Sequence, residues 1–392
     1  MRKKRLTGST LLPALSFLLL LSPLWSSCSQ DDQRSDGSTG RQPLSFIVTS
    51  EDDVWQDGTR GAILTSLSGA FGIIGCEYDD WGDGRAPEMM YNEIVQGSGS
   101  AWKTSMGYIP QASKTMSFFA YYPYSKDINV ETNALYMNTD AETTGFPNFT
   151  YSVPEKVSEQ KDLMVAMAHG TFGTNASGHI INLSTHEESN IALQFHHLLA
   201  AVKFKVNDNF DKGKITRVEL TNMAYQNTYT YSLTESDGTT PKFDWSGNPK
   251  SSRRTHYVEL EFPMTGNKGD TPQVLTDETE VFMLMPQTVN AGTVINVTFN
   301  NGKQDFIISY KLGQKKSVTL QRGKVTTFYL NITSIRKMTV KATVMDWGTG
   351  GSFGGDMSDQ DEVDLETVIK DWDDEDSEGN STTTNILTGA QD

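Results

Sequence analysis

Ile191-Ala-Leu-Gln-Phe-His-His-Leu-Leu-Ala-Ala-Val-Lys-Phe-Lys-Val206 decides the fold class. The run is rich in Val, Phe and Ile and carries no 3.6-residue apolar period, so it reads as one buried β-strand. Asn207–Lys214 (Asn-Asp-Asn-Phe-Asp-Lys-Gly-Lys) follows as a cluster of polar turn-formers and is the best linker in the chain. On its N-terminal side, further strands are expected at Leu44–Thr49, Phe71–Tyr78, Met89–Val95, Thr115–Tyr122, Phe149–Val153 and Asp162–Ala168. On its C-terminal side they are expected at Ile215–Asn222, Thr228–Leu233, His256–Phe262, Glu280–Met285, Val294–Phe299, Phe306–Tyr310, Lys324–Ile332 and Val340–Trp347. Gly, Asn, Asp and Pro clusters separate them, and long helical patterns are absent. The expectation is an all-β chain with two tandem sandwich domains, residues 44–208 and 209–350.

The N-terminus reads as an export signal. Met1-Arg-Lys-Lys-Arg5 is cationic, Leu11–Trp25 is apolar, and Ser26-Ser27 precede Cys28. The position of Cys28 resembles a bacterial lipobox, in which cleavage after residue 27 frees a cysteine for lipidation; Trp25 departs from the usual aliphatic residue there. Pro13 and Pro23 interrupt the apolar stretch, which is shorter than the roughly 20 residues of a spanning helix. Ser29-Gln-Asp-Asp32 resembles the acidic export signal of Bacteroidetes surface lipoproteins. Residues 28–43 are expected to form a flexible spacer and to place the protein on the outer membrane, at the cell surface.

Charge and cysteine content exclude several function classes. The formal charge of −16 becomes −20 once residues 1–27, with four basic and no acidic side chains, are removed. Nucleic acid is therefore disfavoured as a partner. With Cys28 assigned to the lipid, Cys76 is the sole remaining cysteine, and its apolar setting (Phe71-Gly-Ile-Ile-Gly-Cys76) marks it as a buried structural thiol. Residues 351–392 form an acidic tail behind a glycine-rich hinge, expected to be largely disordered. Within it, Glu362–Lys370 alone shows apolar alternation: Val363, Leu365, Thr367 and Ile369 alternate as in a half-buried strand. Leu365, Val368, Ile369 and Trp372 also fit one face of a helix, so periodicity leaves both open.

Catalytic and metal signatures are weak. His196 and His197 are adjacent, and on a strand they point to opposite faces and cannot share an ion. His169, His179, His186 and His256 fall in no metal-ligand spacing. No phosphate loop, nucleophile elbow or His-Glu-x-x-His helix occurs, and Asp52-Asp53 and Asp79-Asp80 lie in loop-like sequence. Asp371–Asp376 lacks the glycine turn and spacing of a calcium loop. Trp55, Trp81, Trp102 and Trp245 serve either as core or as sugar-stacking platforms. No catalytic residue, cofactor or metal is assigned, and a non-enzymatic role follows.

Several segments taken in order resemble the fimbrillins, the pilin-like surface lipoproteins of Bacteroidetes fimbriae. They are Ser117-Phe-Phe-Ala-Tyr-Tyr-Pro123, Gln160-Lys-Asp-Leu-Met-Val-Ala166, Leu193–Lys205, Phe282-Met-Leu-Met-Pro-Gln287, Gly323–Leu330 and Val344-Met-Asp-Trp347. The resemblance implies two transthyretin-like β-sandwich domains in a fimbrial subunit. It also implies cleavage by an arginine-specific protease that removes the first strand, and a C-terminal strand of the next subunit that fills the groove. Mapped here, the cleavage site is Arg60, with Arg85 second and Arg41 third; the alternative is that all three are ordinary loop arginines. The donor strand is Val363, Leu365, Thr367 and Ile369, against the alternative of a solvated tail. The implied partners are other fimbrial subunits, the outer membrane through the lipid at Cys28, and a host or bacterial surface ligand. A monomeric surface lipoprotein or fimbrial tip adhesin that binds a glycan or host ligand is the competing reading.

Overall fold

The structure, a computed structural model, describes residues 42–50, 67, 69–78, 86–87, 90–98, 101–108, 115–174, 180–182, 187–188, 190–208, 210–234, 236–238, 240–266, 271–277, 280–289, 291–313, 317–346 and 363–364. The first half contributes strands β1 (Gln42–Ser50), β2 (Gly69–Tyr78), β3 (Met90–Ser98), β4 (Ala101–Tyr108), β5 (Thr115–Tyr122), β6 (Leu135–Met137), β7 (Asn148–Ser152), β8 (Met164–Thr174) and β9 (Asn190–His197). The second half adds β10 (Ala200–Asn207), β11 (Gly213–Ala224), β12 (Gln226–Thr230), β13 (Arg253–Met264), β14 (Phe282–Leu284), β15 (Val294–Asn300) and β16 (Asp305–Lys311). It ends with β17 (Lys324–Ser334), β18 (Lys337–Asp346) and the two-residue β19 (Val363–Asp364). Two- and three-residue strands and one 3-10 turn, Val157–Glu159, complete the described elements. The all-β class is as expected.

Six of the seven strands expected in the first half, with β4 added, form one closed circuit, and the seventh, β7, lies in a separate sheet. The hydrogen-bonded order is β1-β4-β3-β2-β5-β8-β9, and β9 returns to β1. Closure leaves no free edge within the ring, so none of its strands offers an unpaired row for uncontrolled strand pairing. Phe46, Phe71, Trp102, Phe118 and Phe195 fill the interior. The outer faces of β2, β5 and β8 are also covered, by a three-stranded sheet of β6, β7 and β12. Ile74, Cys76, Phe119, Tyr121 and Val165 are buried beneath it. Strands covered on both faces need apolar residues at consecutive positions, which explains runs such as Phe118–Tyr122. Gly72 is part of the same packing: a Cβ there would lie 2.3 Å from the Tyr121 ring.

In the second half, a sheet containing β10, β17, β18 and β19 faces a sheet ordered β13-β11-β15-β16. Between them lies one core in which Phe204, Phe328 and Val206 meet Ile215, Val297, Phe299 and Ile308. β15 and β16 show the alternation that one buried face requires, with Ile295, Val297 and Phe299 inward opposite Phe306, Ile308 and Tyr310.

Two expectations need correction. The single strand at 191–206 is two strands in two sheets, since β9 pairs with β1 and β8 while β10 pairs with β17 and β14. The chain changes sheets at Leu198-Leu199, both fully buried. That corner needs no polar turn because its backbone groups find distant partners: Leu198 N–H donates to Leu163 O, Trp245 Nε1–H to Leu198 O, and Gly323 N–H to Leu199 O. β4 (Ala101–Tyr108) forms where sequence predicts no strand, and across the domain boundary expected near residue 208 β12 pairs along its whole length with β7.

Candidate strand-exchange site

β1 is the first described strand, and it lies inside the ring rather than on an edge. On one side it runs parallel to β9 over six aligned pairs, from Ser45↔Asn190 to Ser50↔Phe195. On the other it runs antiparallel to β4, through Gln42↔Tyr108, Pro43↔Gly107, Ser45↔Lys103 and Phe46↔Trp102. Gln42 and Pro43, assigned by sequence to the spacer, therefore belong to the strand. Pro43 has no N–H to donate, and the β1–β4 register shifts beside it, with β4 carrying the extra residues. The Thr104 hydroxyl repairs the ladder there, accepting the Leu44 N–H at 3.0 Å and donating to Met106 O at 2.7 Å.

The side chains of β1 alternate as a half-buried strand demands. Leu44 and Phe46 point into the barrel, Val48 packs against the same core, and Ser50 is buried at the end. Phe46 is fully buried, with its ring edge-on to Phe71 at 5.9 Å and to Phe118 at 5.8 Å. Beneath it Phe71 contacts Trp102 and Phe195, which come from the two strands flanking β1. Without β1 the ring would be opened between β4 and β9, leaving two facing rows of unpaired backbone groups and an aromatic floor. A strand with apolar residues at every second position would fit that slot, the chemistry of β-strand addition.

β4 forms one wall of this slot, and sequence analysis missed it. Its signal is short and mixed: Trp102 and Thr104 are buried, while Lys103, Ser105 and Met106 are exposed. Cys28, Arg41, Arg60 and Arg85 lie outside the described residues. Of the tail segment, Val363 and Asp364 are described. They form β19, antiparallel to β18 through Ala342↔Val363 and Lys341↔Asp364, an extended conformation at the edge of the second sheet. Leu365, Thr367 and Ile369 lie outside the described residues, as do His179, His186, Trp55 and Trp81.

The described histidines occupy structural positions. His196 stacks on Phe243 with centroids 3.7 Å apart, while His197 is buried with Nδ1 2.8 Å from Asp162 Oδ2, so the pair does face opposite ways. Arg322 Nη1 donates to the His197 carbonyl at 2.8 Å. Cys76 is buried, as its apolar setting predicts. Among the described residues no three His, Cys, Asp or Glu side chains group as a metal site. Tyr121, whose hydroxyl donates to Asn92 Oδ1, is held well above the usual tyrosine range by burial.

His256 on β13 ties the segment after β7 to the second half. Its Nδ1–H donates to Pro154 O at 2.8 Å, and the neighbouring backbone pairs Tyr257 N–H with Glu155 O. Burial, with a smaller contribution from Arg254, pulls its pKa down to about 4. The unfolded chain binds a proton near the ordinary value of 6.5 while the folded chain stays neutral to about 4. Stability is therefore full above pH 6.5 and falls as pH drops from there to 4, by about 3 kcal/mol. His256→Asn, whose amide keeps a donor for Pro154, is expected to remove that component. Urea midpoints at pH 7 and pH 4.5 measure it, and equal pH losses in both proteins would assign the effect elsewhere.

A family model described as fimbrillin-like matches residues 69–347. No curated protein matches the chain. Among solved structures, a fimbrial protein from Bacteroides vulgatus is similar at 16% identity and a TM-score of 0.48, with 78% of this chain and 99% of that one covered. A candidate cell-adhesion protein from Bacteroides ovatus is similar at 14% identity and a TM-score of 0.49, covering 79% and 99%. A fimbrial assembly protein from Parabacteroides distasonis is similar at 9% identity and a TM-score of 0.35, covering 78% and 96%. The matched span runs from the start of β2 through the end of β18 and so takes in both cores, and on that ground the chain belongs to the fimbrillin-like family.

Proposed function

We propose that this chain is a structural subunit of a cell-surface fimbria that contributes to adhesion and assembles by strand exchange. In this reading it reaches the outer membrane as a lipoprotein anchored at Cys28, loses β1 by proteolysis, and accepts a strand of another subunit in its place. The observation that carries it is the placement of β1, the first described strand, between β4 and β9 in an otherwise continuous ring.

Topology ranks the three candidate cleavage sites. Arg60 lies between β1 and β2, so a cut after it separates β1 from the rest of the chain and removes no other described strand. A cut after Arg85 would also free β2, whose Phe71, Ile73 and Ile74 are fully buried. A cut after Arg41 would release the lipid and leave β1 in the ring. These relations support Arg60 as the processing site, with Gly61 as the mature N-terminus. For the donor, Val363, Leu365, Thr367 and Ile369 repeat the alternation of Leu44, Phe46 and Val48, and the extended pairing of Val363–Asp364 supports a strand reading.

Treating the exported protein with an arginine-specific protease, followed by electron microscopy and N-terminal sequencing, tests the proposal. Filaments and a start at Gly61 are expected. Complete cleavage with monomers alone would discard strand exchange in favour of a monomeric ligand-binding lipoprotein. Filaments starting at residue 42 would mean that β1 stays in place.

A further inference from the structure

The sheet of β6, β7 and β12 has an inner face in the core and an outer face of different chemistry. Inward go Leu135, Met137, Phe149, Tyr151 and Tyr229. Outward, strand register lines up three rows. Tyr136, Thr150 and Thr228 form the middle row, and Ser152 lies opposite Gln226 in the next. The third holds Asn148 opposite Thr230, with Asn138 beside them. None of these side chains is buried, and Tyr136 is the one ionisable group among them. Charged side chains border this face at the rim, among them Asp140 beyond Asn138, Lys250 beside Gln226, and Arg253 and Arg254, whose guanidinium groups donate to Lys250 O and Val153 O. In a chain with a formal charge of −16, a neutral patch of this extent is distinctive.

The hydroxyls and amides hold one another in place. Asn138 Nδ2 donates to Asn148 Oδ1 at 2.9 Å and to Thr150 Oγ1 at 3.2 Å. The Thr150 and Thr228 hydroxyls are 3.2 Å apart, and Gln226 Nε2 donates to Ser152 Oγ at 2.8 Å. Each amide still has a second N–H or a free lone pair, and the Thr228 and Ser152 hydroxyls keep acceptor capacity, while Thr150, which also donates to Asn138 Oδ1 at 3.3 Å, fixes the grid. Strands about 4.8 Å apart thus display a preordered grid of donors and acceptors, with an aromatic ring in the middle row. Such a grid matches a partner that is uncharged and presents many hydroxyls.

We propose that this outer face binds a neutral polysaccharide. The absence of charge on the face disfavours nucleic acids, anionic glycans and charged peptides. The sheet is built from β6, β7 and β12 and shares no strand with the β1 slot, so this inference stands apart from strand exchange.

The test is affinity electrophoresis of the full chain in native gels containing dextran, a galactomannan or a mixed-linkage β-glucan, with heparin as an anionic control. Retardation by at least one neutral polysaccharide and none by heparin is expected. The double variant Thr150→Val, Thr228→Val keeps β-branched shapes suited to a strand and should fold, as circular dichroism would verify. It is expected to bind about tenfold more weakly or less, from loss of hydroxyl contacts. No retardation of the parent protein by any neutral polysaccharide, or equal retardation of parent and variant, would overturn the proposal. So would sedimentation showing a dimer that the variant abolishes, since the grid would then be a contact between copies.

Discussion

Phe46→Ala is expected to lower the unfolding free energy of the uncut protein by about 3–5 kcal/mol and to leave the heat resistance of assembled filaments unchanged. The loss in the precursor follows from full burial of the ring and its edge-on contacts with Phe71 and Phe118. Nothing polar nearby could fill the cavity, because Phe71, Trp102, Phe118 and Phe195 surround it. The second half of the prediction discriminates among mechanisms. If β1 departs on maturation, residue 46 is absent from the filament and its identity cannot matter there. Urea unfolding of the precursor and the dissociation temperature of protease-matured filaments measure the two quantities. Equal losses in both would mean that β1 persists in the polymer.

The elements read best from sequence were those with one buried face. Leu44, Phe46 and Val48 alternate in β1, and Ile295, Val297 and Phe299 alternate in β15, so both strands were legible. The partners of β1 were not. β9 joins it in parallel from more than a hundred positions away, and no local pattern encodes a ladder of that separation. β4 escaped because half its residues are polar or exposed. The break in 191–206 did leave a signal: buried positions are odd-numbered at Ile191, Leu193 and Phe195 and even-numbered at Val202, Phe204 and Val206. A strand with a period of two cannot change phase without a bulge or a turn, and the chain turns at Leu198-Leu199. The pairing of β12 with β7 across residue 208 was not legible for a related reason, since the polar alternation of β12 says that one face is covered but not by which half of the chain.

Replacing Val363, Leu365 and Ile369 together with Ser is expected to abolish filament formation while the monomer keeps its stability to within about 0.5 kcal/mol. In the monomer the described pairing of this segment is two residues long, Val363–Asp364 against β18, so little is lost there. In the slot of a neighbouring subunit Val363, Leu365 and Ile369 would take the places of Leu44, Phe46 and Ser50, with Thr367 at the place of Val48, and each of the three is worth about 1.5–3 kcal/mol on burial. Their removal costs at least about a thousandfold in affinity. Val368→Ser separates a strand from a helix in the same tail. On a strand Val368 points away from the slot and the variant assembles normally. On a helix it shares a face with Leu365 and Ile369, and its loss weakens assembly. Electron microscopy of matured protein reads both variants. Filaments of ordinary length from the triple variant would show that another segment completes the ring, and a defect from Val368→Ser alone would show that the incoming element is not a β-strand.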